Sequence, residues 1–365
     1  VYEVLKQLYC IPNSARALHF TLDDFMKLQG FVAAGFEDSV WVCEPNEVYA
    51  EQLIVSAHIN DLLVSCADQL TLDKFKAAFL SRFDGTDDGQ LTEYLGCEVI
   101  TDSQGNLTLR QSAYAERILR TYDAWDFHSV RTPLEPGKRL TKKDSPDFVD
   151  PTLHRRYRGF VGHLSFLVQM TRPDLAFAFS ELSKFVQAPG PAHWKSATRT
   201  LQYLRGTYDK GITYSDPGPE RRDRIEGWVD SDYAADPDTR RSVTGYVLSM
   251  NNGPVSWRSK RQNCTTLSSA EAEFVAASIC GQEVIYLRAL LTGLGFPPTG
   301  PTLIWEDNAA CIQMSENPMH ADRARHIDTR LYFLRDMVRD GIVKLVKVPG
   351  TCLLYTSDAA DDSLR

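Results

Sequence analysis

The sequence predicts a mixed α/β chain: a strand-and-helix part, a helical middle, and a closing mixed five-stranded sheet flanked by helices. Three observations carry that prediction. Runs with the two-residue alternation of strands lie near both ends, at 52–64 and 225–258. Two apolar stripes with helical spacing occupy the middle: Leu175, Ala178, Phe179, Leu182 and Phe185, then Trp194, Ala197, Leu201 and Leu204. Beyond residue 225, strand-like and helix-like segments interleave. At 365 residues with 43% hydrophobic, the chain can bury a sizeable core and holds about two or three domains.

Taken in order, Gln52 to Val64 reads as two apolar strands around a polar break, a hairpin with His58 to Asp61 at its tip. Leu72 to Phe83 has helical spacing, and the segment from Glu93 to Gln111 reads as a second hairpin turning at Ser103-Gln-Gly-Asn106. Arg172-Pro173 opens the first helical stripe of the middle part, and the face opposite the second stripe bears Lys195, Arg199 and Arg205. Ser215-Asp-Pro-Gly-Pro219 is the clearest linker in the chain. Strands follow near 225–230, 243–250 and 253–258, then a helix near 269–290, a strand near 302–306, two helices and a last strand near 342–348.

Three carboxylates stand where this pattern can converge them. Asp230 ends an alternating strand containing Trp228 and Val229, Glu273 lies inside a helix, and Asp307 follows a short buried strand. Ser268 and Glu271 have the spacing of a capping box, which makes Glu271 structural and leaves Glu273 to be explained. Asn308 can cap the next helix. Each acid alone reads equally as a polar turn or a solvated charge; together they suggest two-metal phosphodiester chemistry, with a pair of Mg²⁺ or Mn²⁺ ions ~4 Å apart. Phosphate-cradling glycine loops, Ser/His/Asp triads and Cys nucleophile patterns are absent from the sequence.

The net charge of −8 is unevenly spread. Residues 1–130 carry 9 Lys+Arg against 20 Asp+Glu, a net of −11; residues 131–224 carry 17 against 10, a net of +7; residues 225–351 carry 13 against 15. Lys138, Arg139, Lys142, Lys143, Arg155, Arg156 and Arg158 are clustered, and with Lys195, Arg199 and Arg205 they are the candidates for phosphate contact. An ordinary solvated face fits the same composition. The 8 cysteines form no Cys-x-x-Cys pair, which points to reduced thiols in a cytoplasmic or nuclear chain. No apolar run approaches the ~20 residues of a membrane span, so no membrane is expected; nothing speaks to oligomeric state.

The segment GWVDSDYAADPDTRRSVTGYVLSMNNGPVSWRSKRQNCTTLSSAEAEFVAAS, with EDNAACIQMSENP and RARHIDTRLYFLRDMV, resembles the RNase H domain of copia-type long-terminal-repeat retrotransposon Pol polyproteins. The run from Tyr157 to Thr207 resembles the segment joining polymerase to RNase H in that family, and KQLYCIPNSARA and LTEYLGCEVI resemble its reverse transcriptase. The resemblance covers about Leu5 to Thr351. It implies a partial reverse transcriptase, or palm remnant, over 1–130, a basic connection over 131–224 and an RNase H-like domain over 225–351. It also implies that Asp230, Glu273 and Asp307 match three of the family's four metal-binding acids, that RNA–DNA hybrid is the partner, and that Mg²⁺-dependent cleavage of its RNA strand accompanies RNA-templated DNA synthesis. His326 and Asp328 match a family motif to which a hydrogen-bonding, structural role is assigned.

Departures qualify these expectations. The family's Tyr-x-Asp-Asp is His58-Ile-Asn60-Asp61 here, and the amide of Asn60 brings no negative charge to a divalent ion, so Asp61 stands alone. The other palm aspartate is expected upstream of Val1, and Cys10-Ile-Pro-Asn13 replaces an expected Gly-Leu-Lys-Gln, so polymerisation by this chain is not expected. After Thr351 the chain turns into a string resembling the translation of a sequencing-library adapter, so 352–365 is read as a non-native tail in place of the helix bearing the fourth acid. The alternative to a nuclease is a non-catalytic, nucleic-acid-binding or decayed retrotransposon remnant.

Overall fold

The computed structural model describes residues 14–35, 37–316 and 328–350, and divides into two compact units: Val1–Gln90 with Ile285–Thr299, and Leu91–Val284 with Gly300–Arg365. Within the described residues the first unit holds α1 (Ser14–Leu28), β1 (Val32–Ala34), β2 (Glu37–Cys43), β3 (Leu53–His58), β4 (Asp61–Cys66) and α2 (Gln69–Arg82). The four strands form one antiparallel sheet in the order β1-β2-β3-β4. Helix α1 turns Leu22, Phe25 and Met26 onto that sheet, where they bury against Trp41, Leu53, Val55 and Phe75. Asp68 caps α2 by accepting the Thr71 N–H at 2.8 Å. The β3–β4 hairpin turns through Ile59 and Asn60, with His58 opposite Asp61 and exposed Ile59 at a φ of +55°.

The second unit opens with β5 (Glu93–Tyr94), β6 (Cys97–Thr101), β7 (Leu107–Arg110) and α3 (Ser112–Thr121). Helices α4 (Pro151–Met170), α5 (Ala176–Ser183) and α6 (Pro191–Gly206) follow, and β8 (Gly211–Tyr214) returns to pair with β7. The two predicted stripes face one core: Leu175, Ala176, Leu182 and Phe185 meet Ala197, Leu201 and Leu204 together with Tyr157, Phe160 and Leu164 of α4. Arg172 is buried in it, its guanidinium bonded to both oxygens of Asp174 (2.8 and 2.7 Å) and to the Thr207 carbonyl (2.9 Å).

The same unit then builds a mixed five-stranded sheet from β9 (Glu226–Asp232), β10 (Val243–Met250), β11 (Gly253–Arg261), β12 (Thr302–Glu306) and β13 (Val343–Lys347), in the order β11-β10-β9-β12-β13. β9, β10 and β11 form an antiparallel meander, while β12 pairs parallel to both β9 and β13. Helix α7 (Ser269–Gly293) lies on the sheet over its part up to Val284, which belongs to this unit, and α8 (Ala309–Glu316) and α9 (Asp328–Arg339) complete it. Gly227 leaves room for a side chain of the neighbouring strand: a Cβ there would stand 2.8 Å from Leu248 of β10, whereas the Cys280 sulfur of α7 would lie at an ordinary 3.6 Å.

Residues read as connection and as nuclease thus pack within one unit. Trp257 Nε1 of β11 donates to the Val168 carbonyl of α4 at 2.7 Å, and Lys184 and Arg261 both reach Asp236, at 3.0 and 3.1 Å. One expectation is corrected: α7 is long and apolar enough, by length and composition, to cross a membrane. Its apolar residues from Ala272 to Val284 are instead packed as the core helix of this domain, which explains a hydropathy that resembles a span. The six described cysteines are free thiols.

Candidate metal centre

Two of the three predicted acids owe their proximity to a parallel register. Trp305 of β12 pairs with Trp228 of β9, and Asp307 and Asp230 each lie two residues further on, so neighbouring strands deliver both carboxylates to the same level. Asp230 is steadied by the Ser231 N–H, which donates to Oδ1 at 2.8 Å. The third comes from α7, whose start is secured by Ser268 Oγ accepting the Glu271 N–H (3.2 Å) and by Glu271 Oε2 accepting the Leu267 N–H (2.7 Å). Glu273, half a turn further and only 5% exposed, points into the same place. Oxygen atoms of Asp230, Glu273 and Asp307 all lie within 4.8 Å of one another.

This geometry fits a hard divalent cation: every donor is a carboxylate oxygen, and Glu273 Oε2 is buried with no hydrogen-bond partner. Burial, reinforced by the charges of Glu306, Asp230 and Asp307, holds the Glu273 carboxyl far above the usual carboxylate range. Glu306, which sequence reasoning missed, is fully buried beside Asp307; burial again raises it, and Asp307 and Asp230 add to the rise against the opposing Asn308 N–H. A signal for it existed, since Thr302, Ile304 and Glu306 share one face of β12 by simple alternation. Asn308 caps α8 through the Ala310 and Cys311 N–H groups, as expected.

The other predicted residues are scattered. Asn60 and Asp61 sit on the exposed β3–β4 hairpin, and among the described residues no second group of ligating side chains gathers there. Arg139 pairs with Asp232 and lies over Phe177; Arg156 donates to the Tyr122 carbonyl at 3.2 Å, Arg199 to Thr132 Oγ1 at 2.9 Å and Arg205 to the Trp125 carbonyl at 2.5 Å, while Lys138 reaches Glu135 at 3.3 Å. Each of these five thus has a partner within its own unit, and Lys138 and Arg156 remain exposed. Arg155 and Lys195 are exposed. Cys10 to Asn13, His326 and the tail 352–365 lie outside the described residues, as does the side chain of Asp328.

Comparison with known proteins adds three findings. A family model described as reverse transcriptase (RNA-dependent DNA polymerase) matches residues 1–136. The chain is 32% identical over 352 residues to the retrovirus-related Pol polyprotein from transposon TNT 1-94 of Nicotiana tabacum, and 30% identical over 348 residues to that from transposon RE2 of Arabidopsis thaliana. Each alignment covers 95% of this chain but only 26% and 23% of those relatives, so the chain spans about a quarter of their length. Among solved structures, a foamy viral protease-reverse transcriptase in complex with RNA/DNA hybrid aligns over 99% of this chain and 40% of that one, with 11% identity and a TM-score of 0.48.

Proposed function

The chain belongs to the Pol polyproteins of copia-type retrotransposons, with a reverse transcriptase domain, and from that premise we propose that its second unit is an RNase H that cleaves the RNA strand of RNA–DNA hybrids. One observation carries the reading: the oxygens of Asp230, Glu273 and Asp307 lie within 4.8 Å of one another, brought together from three separate elements. These residues would hold Mg²⁺ or Mn²⁺, which when bound supplies activation of a water and stabilisation of the departing oxygen in an in-line displacement. Asp230 is held by the Ser231 N–H, and Asp307 stands between the end of β12 and the start of α8. Glu273, raised by burial, would have to be ionised to serve as a ligand. Arg155 and Lys195 are among the exposed basic groups that would meet phosphates of the hybrid. The first unit contributes no polymerisation, because Asn60 stands where the family has a metal-binding carboxylate.

The test is hybrid cleavage by the purified chain in Mg²⁺, beside Asp230→Asn. The parent is expected to cut the RNA strand and the variant to lose at least about a hundredfold in rate while keeping its circular dichroism spectrum. Equal rates, including no cleavage by either, leave the non-catalytic remnant as the better reading.

A further inference from the structure

Beside the three converging oxygens lies a fourth carboxylate that is not one of the group. Alternation along β12 forces Glu306 onto the face covered by α7, where it is 0% exposed and where Thr302 and Ile304 are its buried companions. An aliphatic side chain would suit that face, and a carboxylate is costly there. Only one of its oxygens is used: Oε1 accepts the Asn308 N–H at 2.9 Å, while Oε2 is buried without a partner. A residue retained purely to complete a polar network would not leave an oxygen unpaired.

What the single bond does is local. The Glu306 carbonyl accepts the Val348 N–H of the chain after β13 at 3.0 Å, and Asn308 Oδ1 accepts the Ala310 and Cys311 N–H groups at 3.0 and 3.1 Å. The Oε1 contact ties these two anchors together across the one residue between them, which is Asp307. Ligand atoms must be held within about 0.5 Å of the productive geometry, and this bond closes the turn around Asp307. We propose that Glu306 is a positioning residue that holds Asp307 for divalent-cation binding through its hydrogen bond to the Asn308 N–H. This inference rests on the metal reading of the carboxylate centre and deepens it.

Two substitutions in the full chain separate the roles. Glu306→Gln keeps an acceptor oxygen without the charge; Glu306→Leu fills the site without either. MgCl₂ binding is read by calorimetric titration and by the rise in melting temperature, with hybrid cleavage as a second readout. The Gln variant is expected to bind Mg²⁺ within about threefold of the parent, and the Leu variant to melt no lower than the parent without metal yet bind Mg²⁺ about 10- to 100-fold more weakly. Parent-like binding by the Leu variant overturns the proposal. So does a loss with Gln as large as with Leu, which assigns the effect to charge, or a lower metal-free melting temperature with Leu, which makes the residue structural. A parent whose Mg²⁺ response survives Asp230→Asn defeats the metal reading itself, and this inference with it.

Discussion

Loading the carboxylate centre with Mg²⁺ should release protons, and the amount follows from burial. Desolvation is the largest influence on Glu273 and on Glu306, and neighbouring carboxylates add to it, so both stay protonated well above the ordinary value of 4.5. A metal ligand must be ionised, so Glu273 should give up its proton on binding, while Glu306, which is not a ligand, keeps its own. About one proton should leave per loaded centre near neutral pH, with Mg²⁺ affinity climbing about tenfold per pH unit. Calorimetric titration at several pH values between about 6 and 8, in two buffers of different ionisation enthalpy, reads both quantities. A binding heat independent of the buffer, together with an affinity flat across that range, would refute the reasoning. The metal-free chain carries the opposite slope. Carboxyls whose folded pKa lies above the unfolded value favour the native state below 4.5 and lose that contribution as pH rises towards the folded value, by about 1.4 kcal/mol per pH unit for each group. Saturating Mg²⁺ should remove the share of that trend due to Glu273.

Two further outcomes concern the second unit's framework. Arg172→Leu removes the charge partner of Asp174, leaving that carboxylate only the Tyr203 hydroxyl, and urea unfolding should show a loss of about 3–5 kcal/mol; a loss below about 1 kcal/mol would mean the buried pair is dispensable. Asp236 is raised by burial but pulled far below the carboxylate range by bonds from Thr239 and Lys184, the Lys184 charge, and Arg261. Its depressed folded pKa gives stability that is present above the unfolded value of 3.8 and lost as pH falls through the folded value. Asp236→Asn should therefore melt lower than the parent near neutral pH, with the gap narrowing below about pH 4; a gap that stays constant counts against that electrostatic role.

Much was legible along the chain because it is local. Alternation located β9 and β12, helical spacing located α5 and α6, and Ser268 with Glu271 announced the start of α7. The basic segment was legible only as composition. Charge counts do not say whether a guanidinium faces water, and Arg139, Arg156, Arg199 and Arg205 turned out to be bonded to carbonyls, a hydroxyl and a carboxylate of their own unit. Glu273 was hard to aim from sequence because residues 271–278 are buried on every side of α7, leaving no polar face from which to take a direction.

By itself the sequence determined which elements form, where they cap and turn, and which acids stand at their ends, since those follow from spacing within a few residues. Only the tertiary structure decided that Trp228 and Trp305 pair in parallel, that α7 covers the face carrying Glu306, and hence that Asp230, Glu273 and Asp307 meet. Strand register and helix docking join residues dozens of positions apart, and the energy that selects them comes from burying whole faces together, which no short window of sequence contains.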